Sequence, residues 1–360
     1  MKGLILVGGF GTRLRPLTFE VPKPLMDFVN MPILDYQIAA LAKAGVTEIV
    51  LGINFKKELI LSFLDEMAER HKVMIVASIE DRPLGVAGPM KLAEKLLTDN
   101  NPTGMFFVCN SDVITEFQFE EMIEMQKKTK ALGIMCVTKV SDPSKYGVVA
   151  FDENKCITMF HEKPKTFVGD CVNAGIYLFK NEVLDRLSLS PLTGMVAFLD
   201  GLVSDKKLFV TVLKEYWMDI GHPCDFLEGT RLHLGYLQKQ GSEQLSKGKN
   251  IIGNVVIHPT AEVSEDAEIG PDVVIGEKCR VGPGARIKGS CLFRGSQVGR
   301  SCYIENTVLS WYSTVGDWTR IEGLSIIAEN CSIGKEIRLK EVLVLPHKAV
   351  NSNTNNSIVM

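Results

Sequence analysis

In the last third of the chain one dominant aliphatic residue returns every six positions: Ile257, Val263, Ile269, Ile275, Val281 and Ile287. The phase then slips and resumes at Val298 and Ile304, at Val315 and Ile321, and at Ile327 and Ile333, with small residues or glycine close behind several of them. An antiparallel sheet alternates with period two, and six is a multiple of two. One dominant aliphatic per six over consecutive intervals nevertheless fits a different object. A hexapeptide period is the signature of a left-handed parallel β-helix, in which each repeat forms one flat side of a triangular coil and turns its aliphatic side chain inward. Such a solenoid buries its core between coils and leaves flat faces and an end coil for oligomer assembly. Chemistry is expected elsewhere in the chain.

The first 240 residues follow another rule. Short β-branched runs at 4–7, 48–53, 73–78, 105–109, 133–140 and 209–213 alternate with helical spacing at 34–44, 56–70, 87–97 and 119–130. That alternation predicts an open, mainly parallel sheet covered on both faces, with ligands beyond the carboxyl ends of its strands. A helix at 225–240 and the polar stretch GSEQLSKGKN then lead into the repeats. The expected organisation is a nucleotide-handling domain over 1–240, a linker over 241–250, the β-helix over 251–345 and a tail over 346–360.

With 360 residues, 46% hydrophobic and 23% charged, the chain is long enough for two real cores. A net charge of −3 argues against a nucleic-acid binder, which needs a concentrated basic face, so any phosphate binding must be local. The nine cysteines show no C-x-x-C pair and read as reduced, buried thiols of a cytoplasmic protein. The apolar run LILV is too short for a signal-peptide core, and no stretch approaches the length that spans a bilayer.

Glycine after a strand marks a tight turn or a close approach. The run at 4–7 ends in Gly8, Gly9 and Gly11, followed by Arg13, in GGFGTRL. No Gly-Lys follows at P-loop spacing, and Pro16 intervenes before any helix, so neither that loop nor a dinucleotide fingerprint fits. Alone, the loop suits a tight turn as well as a phosphate cradle. Lys23, between two prolines in VPKPL, favours the cradle: rigid backbone holds its ammonium in place, and an Arg fork with a Lys point charge suits a polyphosphate.

Asp112 ends the strand-like FFVCNSDV, and Asp219 is flanked by apolar residues in EYWMDIGHP. A strand-end carboxylate is where Mg²⁺ is held, and an enclosed carboxylate needs a partner, so the two acids suggest one shared metal. The alternative for Asp112 is a helix cap. HEKP, with Glu162 and Lys163, VNAGIYLF, with Asn173 and Gly175, and the Gly/Pro-rich SIEDRPLGVAGP supply a phosphate cation, hydroxyl partners and a loop able to approach a flat ring. Each also has an ordinary reading as a turn or a salt bridge.

Taken in order, GGFGTRLRPLT, VPKPL, PLGVAGP, NSDV, DPSKYGVV, FHEKPK, NAGIYLF and WMDIG, followed by hexapeptide repeats, resemble the sugar-nucleotide pyrophosphorylases. Within that family they look most like the eukaryotic mannose-1-phosphate guanylyltransferases of the catalytic type. The resemblance covers nearly the whole chain, through GNVVIHPTA, VLPHK and the final IVM. It implies an α/β fold: a Rossmann-like nucleotidyltransferase domain with a mainly parallel sheet, then a C-terminal left-handed parallel β-helix. It also implies a reaction of GTP with mannose 1-phosphate that yields GDP-mannose and pyrophosphate, with Mg²⁺ as cofactor.

By the same resemblance Gly8, Gly9, Gly11 and Thr12 wrap the nucleotide, and Glu80, Leu84 and Gly85 contact its base. Arg13 holds the leaving pyrophosphate and Lys23 steadies the phosphates. Asp112 and Asp219 hold Mg²⁺, Lys163 takes the sugar phosphate, and Gly147, Glu162 and Asn173 line the sugar pocket. The implied assembly is a homo-oligomer, or a hetero-oligomer with a regulatory paralogue, built through the β-helix, with no nucleic-acid or membrane partner.

Two departures stand out. Val86 replaces the threonine of the family's P-L-G-T-A-G loop, and Met195, Val196 and Ala197 in LTGMVAFLDG replace an acidic-Lys-acidic run. Loss of that run is expected to weaken sugar-phosphate binding, about 10- to 100-fold per contact. The competing expectation to an active enzyme is a catalytically weakened regulatory subunit that binds nucleotide or GDP-mannose and modulates a catalytic partner.

Overall fold

The structure, a computed structural model, describes every residue except 82–83, 86 and 190–193. The Val86 departure therefore lies outside the described residues. The chain packs as two compact units, Met1–Phe10 with Ile33–Trp217, and Gly11–Pro32 with Met218–Met360. The boundary expected at 240 does not follow the packing, because residues 11–32 and 218–240 belong with the solenoid.

In the first unit, β1 (Lys2–Val7), β2 (Glu48–Ile53), β3 (Met74–Ile79), β4 (Met105–Asn110), β5 (Gly133–Lys139), β6 (Gly147–Phe151), β7 (Ile157–Glu162), β8 (Cys171–Lys180) and β9 (Leu208–Val212) form one sheet. Its order is β7-β6-β8-β4-β1-β2-β3, with β5 beside β8 and β9 beside β5. The strands β4, β1, β2 and β3 are mutually parallel. β8 runs antiparallel to β4, β5 and β6, which makes the remaining part mixed. Every residue of β1 is buried, as a central parallel strand with both faces covered requires.

Helices α1 (Ile33–Lys43), α2 (Lys57–His71), α5 (Phe119–Thr129) and α6 (Met195–Ser204) lie within two residues of the predicted spans where one was predicted. The helix expected at 87–97 is instead two short ones, α3 (Gly88–Leu92) and α4 (Glu94–Thr98). They break at Ala93, whose ψ of 3° leaves the helical well. The fully buried Asp35 of α1 is held by Arg70 and His71 of α2, each at 2.5 Å, so the charge is paired and hydrogen-bonded as burial demands.

In the second unit, α7 (Pro223–Lys239) precedes a parallel β-helix. Early coils repeat every 18 residues, with Val263 paired to Val281 and Ile269 to Ile287. The next repeat every 17, with Val281 paired to Val298 and Ile287 to Ile304. Three hexapeptides make 18, so the phase slip in the sequence is one coil side shortened by a residue. Ile269, Ile275, Val281, Ile287, Val298, Ile304, Val315, Ile321, Ile327 and Ile333 all enter one apolar cluster, and Ile257 and Val263 pack against it partly exposed. The tail expected at 346–360 is folded. Ala349–Val350 pairs with Ser332–Ile333, and Thr354–Val359 pairs along Arg338–Val344, extending the solenoid to Val359.

A run of aromatic rings ties residues 11–32 and α7 to the coils: Phe28 to Phe226 at 5.8 Å, Phe226 to Phe293 at 5.6 Å and Phe293 to Trp311 at 4.7 Å. The indole Nε1–H of Trp311 donates to Asp27 Oδ2 at 2.8 Å. Burial raises the Asp27 carboxyl above its ordinary range, and the Trp311 bond pulls it partly back. A raised folded value means stability that is fully present below the unfolded pKa and lost as pH rises through the folded one. Trp311→Phe removes the offsetting bond. It is expected to destabilise the second unit by about 1–3 kcal/mol at pH 7 and by less at pH 4, read by denaturant unfolding. Equal losses at both pH values would mean that Trp311 acts through ring packing alone.

Candidate active site

Four adjacent parallel strands of the first unit each end at a chemically equipped residue. β1 delivers Gly8 and Gly9, β2 delivers Asn54, β3 delivers Glu80, and β4 delivers Asn110, Ser111 and Asp112. These residues, with Gly85, line a pocket of about 340 Å³ beyond the carboxyl edge of the sheet, where an open α/β sheet binds its ligands. Gly9 has φ +101°, a conformation a side chain would strain, and its N–H donates to Asn54 Oδ1 at 3.2 Å.

Glu80 is only 6% exposed, and its Oε2 accepts the backbone N–H of Leu84 at 3.1 Å. Burial pushes the Glu80 carboxyl up, and the Leu84 bond offsets part of that rise. Leu84 itself is buried and does not line the pocket, so its part is to hold Glu80 through the main chain. Asn54 was not singled out from the sequence. The available signal was its place as the first polar residue after a buried parallel strand.

A second group lies on β6, β7 and β8. Gly147 stands opposite Glu162 in the ladder, and a Cβ at Gly147 would sit 2.8 Å from the Phe160 ring and 3.0 Å from Glu162 Oε2. Lys163 pairs with Glu162 at 3.5 Å, both exposed. Asn173 donates to the Tyr177 hydroxyl at 2.6 Å and accepts the Gly175 N–H at 3.0 Å. Burial, reinforced by the Glu162 charge, keeps Tyr177 protonated, so its hydroxyl is a fixed neutral partner that the sequence did not flag.

At the start of α6, Met195 is buried in the apolar core, while Val196 and Ala197 are exposed. The first turn carries no acidic residue. The segment is thus packed as a helix whose first side chain serves the core.

The second unit holds Gly11, Thr12, Arg13, Lys23 and Asp219. Gly11, with φ +59°, starts the short turn Thr12–Leu14, and Thr18 Oγ1 donates to its carbonyl at 2.7 Å. Leu14 is buried, which leaves the exposed Arg13 side chain near Gly221: a Cβ there would lie 3.5 Å from Arg13 Nη2. Lys23 opens the turn Lys23–Leu25 after Pro22, with Leu25 N–H bonded to Pro22 O at 2.9 Å. Glu20, Glu329 and His347 also gather potential ligand atoms within 4.8 Å, with His347 pairing to Glu329 at 3.7 Å.

Comparison with known proteins gives a consistent result. The nucleotidyl transferase family matches residues 2–234, and the GMPPB C-terminal domain matches residues 251–359. A mannose-1-phosphate guanyltransferase of Eremothecium gossypii is 47% identical over 363 residues, covering 100% of both chains. Another, from Candida albicans, is 46% identical over 365 residues, again 100% of both. Among solved structures, HddC from Yersinia pseudotuberculosis superposes with a TM-score of 0.52 at 25% identity, covering 63% of this chain and 97% of its own. A Bacillus anthracis protein designated a glucose-1-phosphate thymidylyltransferase, in complex with a sucrose, gives a TM-score of 0.58 at 22% identity over 69% of this chain and 98% of that one. At that identity the likeness concerns the fold.

Proposed function

The chain belongs to the nucleotidyl transferase family and, within it, to the mannose-1-phosphate guanylyltransferases, and from that premise we propose that it transfers the guanylyl group of GTP to mannose 1-phosphate. A phosphate oxygen of the sugar attacks the α-phosphorus in line, the bond to the β-phosphate breaks, and GDP-mannose and pyrophosphate leave. Little covalent work falls to the protein, so positioning and charge neutralisation carry the step.

The observation that carries this reading is the convergence of four strand ends on one pocket with a buried carboxylate in its wall. Guanine presents two adjacent donors, N1–H and the 2-amino group, and a carboxylate accepts both. Gly8 and Gly9 leave room for the nucleotide, with Gly11, Thr12 and Gly85 as further contacts and Leu84 supporting Glu80. Arg13 and Lys23 serve the phosphates that leave, Lys163 takes the sugar phosphate, and Gly147, Glu162 and Asn173 meet the sugar.

The donors at the pocket's β4 edge are carboxylate, amide and hydroxyl oxygens, with no thiol or imidazole among the described lining residues, a set that suits a hard divalent cation. Asp112 and Asp219 would hold Mg²⁺, which neutralises charge on the phosphate oxygens when bound. Assembly through the β-helix, with itself or a regulatory paralogue, and residence in the cytosol complete the proposal. The nine cysteines are free thiols, which supports a reducing compartment, and among the described residues no helix is long and apolar enough to cross a membrane.

Glu80→Gln keeps the acceptor for Leu84 but replaces the other oxygen with a donor facing donors. GTP affinity is expected to fall about 10- to 100-fold, measured by calorimetry. In the wild type, base donors favour the ionised carboxylate, so binding draws its value down from a raised position. Affinity should therefore weaken as pH falls through that raised value, and Glu80→Gln should flatten this limb. An unaltered pH profile in the variant would remove Glu80 from base recognition.

The activity itself is tested by pyrophosphate release from GTP, Mg²⁺ and mannose 1-phosphate, beside titration of GTP alone. Turnover that requires the sugar phosphate supports the enzyme. The uncharged start of α6 favours the second reading, a regulatory subunit, which predicts GTP binding without turnover.

A further inference from the structure

We infer that Gln37 is a positioning residue for the metal-dependent step, because its amide staples the turn that presents Asp112. Gln37 lies on α1 and is 0% exposed. Its Nε2 donates to the carbonyl of Asn110 at 2.8 Å and to that of Val113 at 3.1 Å. These two residues bracket Ser111 and Asp112, so both amide hydrogens are committed to fixing the backbone on either side of the acid. Tight turns are ordinarily closed by their own main chain, first carbonyl to fourth N–H. Here a helix side chain joins the first and fourth carbonyls.

The neighbouring contacts make this grip rigid. Ser111 N–H donates to Leu6 O at 3.4 Å, anchoring the turn to β1. Two residues before Gln37, Asp35 locks α1 to α2 through Arg70 and His71. Gln37 Oε1, in contrast, is buried and has no hydrogen-bond partner among the described residues. A buried orphan acceptor is unfavourable, and a methionine of similar length would fill the space without it. Filling the core therefore does not account for glutamine at this position; a donor for two carbonyls does. Groups that orient a metal-binding carboxylate in this indirect way commonly change metal affinity by about 10- to 100-fold when lost.

This inference rests on the proposed role of Asp112, and the experiment separates the two. Mn²⁺ binding to the full-length protein with GTP present and no sugar phosphate would be followed by electron paramagnetic resonance for wild type, Gln37→Met and Asp112→Asn. Gln37→Met is expected to weaken Mn²⁺ binding about tenfold and to raise the Mg²⁺ concentration for half-maximal turnover by a similar factor. Metal-free GTP binding should be unchanged and the thermal midpoint within a few degrees of wild type. A purely structural role would move the midpoint and leave the metal dependence alone. If Asp112→Asn binds Mn²⁺ as wild type does, the metal assignment fails. If Asp112→Asn loses binding while Gln37→Met keeps wild-type Mn²⁺ affinity and Mg²⁺ dependence, the staple is overturned. Should Gln37→Met not fold, Gln37→Glu, which keeps the shape but turns acceptors toward the carbonyls, is held to the same outcomes.

Discussion

Asp112→Asn is expected to lower guanylyl transfer about 10²- to 10³-fold while leaving the protein folded, as removal of one preorganised charge-stabilising group does elsewhere. That loss corresponds to about 2.7–4 kcal/mol of transition-state stabilisation. The substitution is nearly isosteric, and the backbone around it is held independently of the carboxylate: the turn is gripped by Gln37 on both sides and pinned to β1 through Ser111. Folding therefore should not depend on the charge. The deficit should appear chiefly in kcat, because a charge that neutralises developing negative charge matters most in the transition state. Steady-state pyrophosphate release against Mg²⁺ concentration reads it directly. A variant that turns over at the wild-type rate at limiting Mg²⁺ would exclude Asp112 as a metal ligand and leave the β4 end a capped turn.

The local pattern made much of this site legible. The strand at 48–53 is observed as Glu48–Ile53, and the apolar run at 105–109 ends one residue later, at Asn110. A buried parallel strand is apolar until its end, so Gly8 after β1 and Asn110, Ser111 and Asp112 after the apolar run of β4 mark the carboxyl edge where an open α/β sheet binds its ligands. β3 carries Ser78 and is half-exposed, and Glu80 is legible through the loop that follows it. The six-residue period likewise encodes the solenoid, because each coil side repeats the same inward requirement.

What escaped the sequence depends on contacts between distant segments. Gln37 sits in an ordinary helical pattern, and nothing local says that its amide reaches residues 110 and 113. Residues 11–32 read as the continuation of a nucleotide loop, yet Phe28 and Asp27 are bound to Phe226 and Trp311. The strand Thr354–Val359, sequence TNNSIV, has no inward aliphatic every six residues. It forms because Arg338–Val344 offers a free ladder edge, which is a property of the finished coil.

The second large effect is expected at Gly175, where fold and site meet. β8 pairs with β6 through Val172 and with β4 from Ile176 onward, so the strand must shift partners within three residues. Gly175 makes the bend with φ +75°, and a Cβ there would lie 2.7 Å from Asn110 Nδ2 and 3.1 Å from its Cγ. Gly175→Ala therefore carries two costs, about 1–2 kcal/mol for the left-handed backbone and about 1–3 kcal/mol for overpacking against the Asn110 side chain. A loss of about 2–5 kcal/mol in the stability of the first unit should follow, measured by denaturant unfolding.

The functional loss should exceed what that instability explains. The new methyl meets the Asn110 side chain as far in as its Cβ, at 3.3 Å, and a backbone shift that relieves this contact moves the carbonyl that Gln37 holds and with it the turn that carries Asp112. Turnover measured well below the unfolding transition, where the variant is fully folded, is expected to fall by more than about tenfold, with the Mg²⁺ requirement rising in step. If Gly175→Ala is destabilised but keeps wild-type turnover and Mg²⁺ dependence, Asn110 yields without transmitting strain, and the bend in β8 belongs to folding alone. If both change together, one glycine sets the geometry of its strand and, through Asn110, of the turn that carries Asp112.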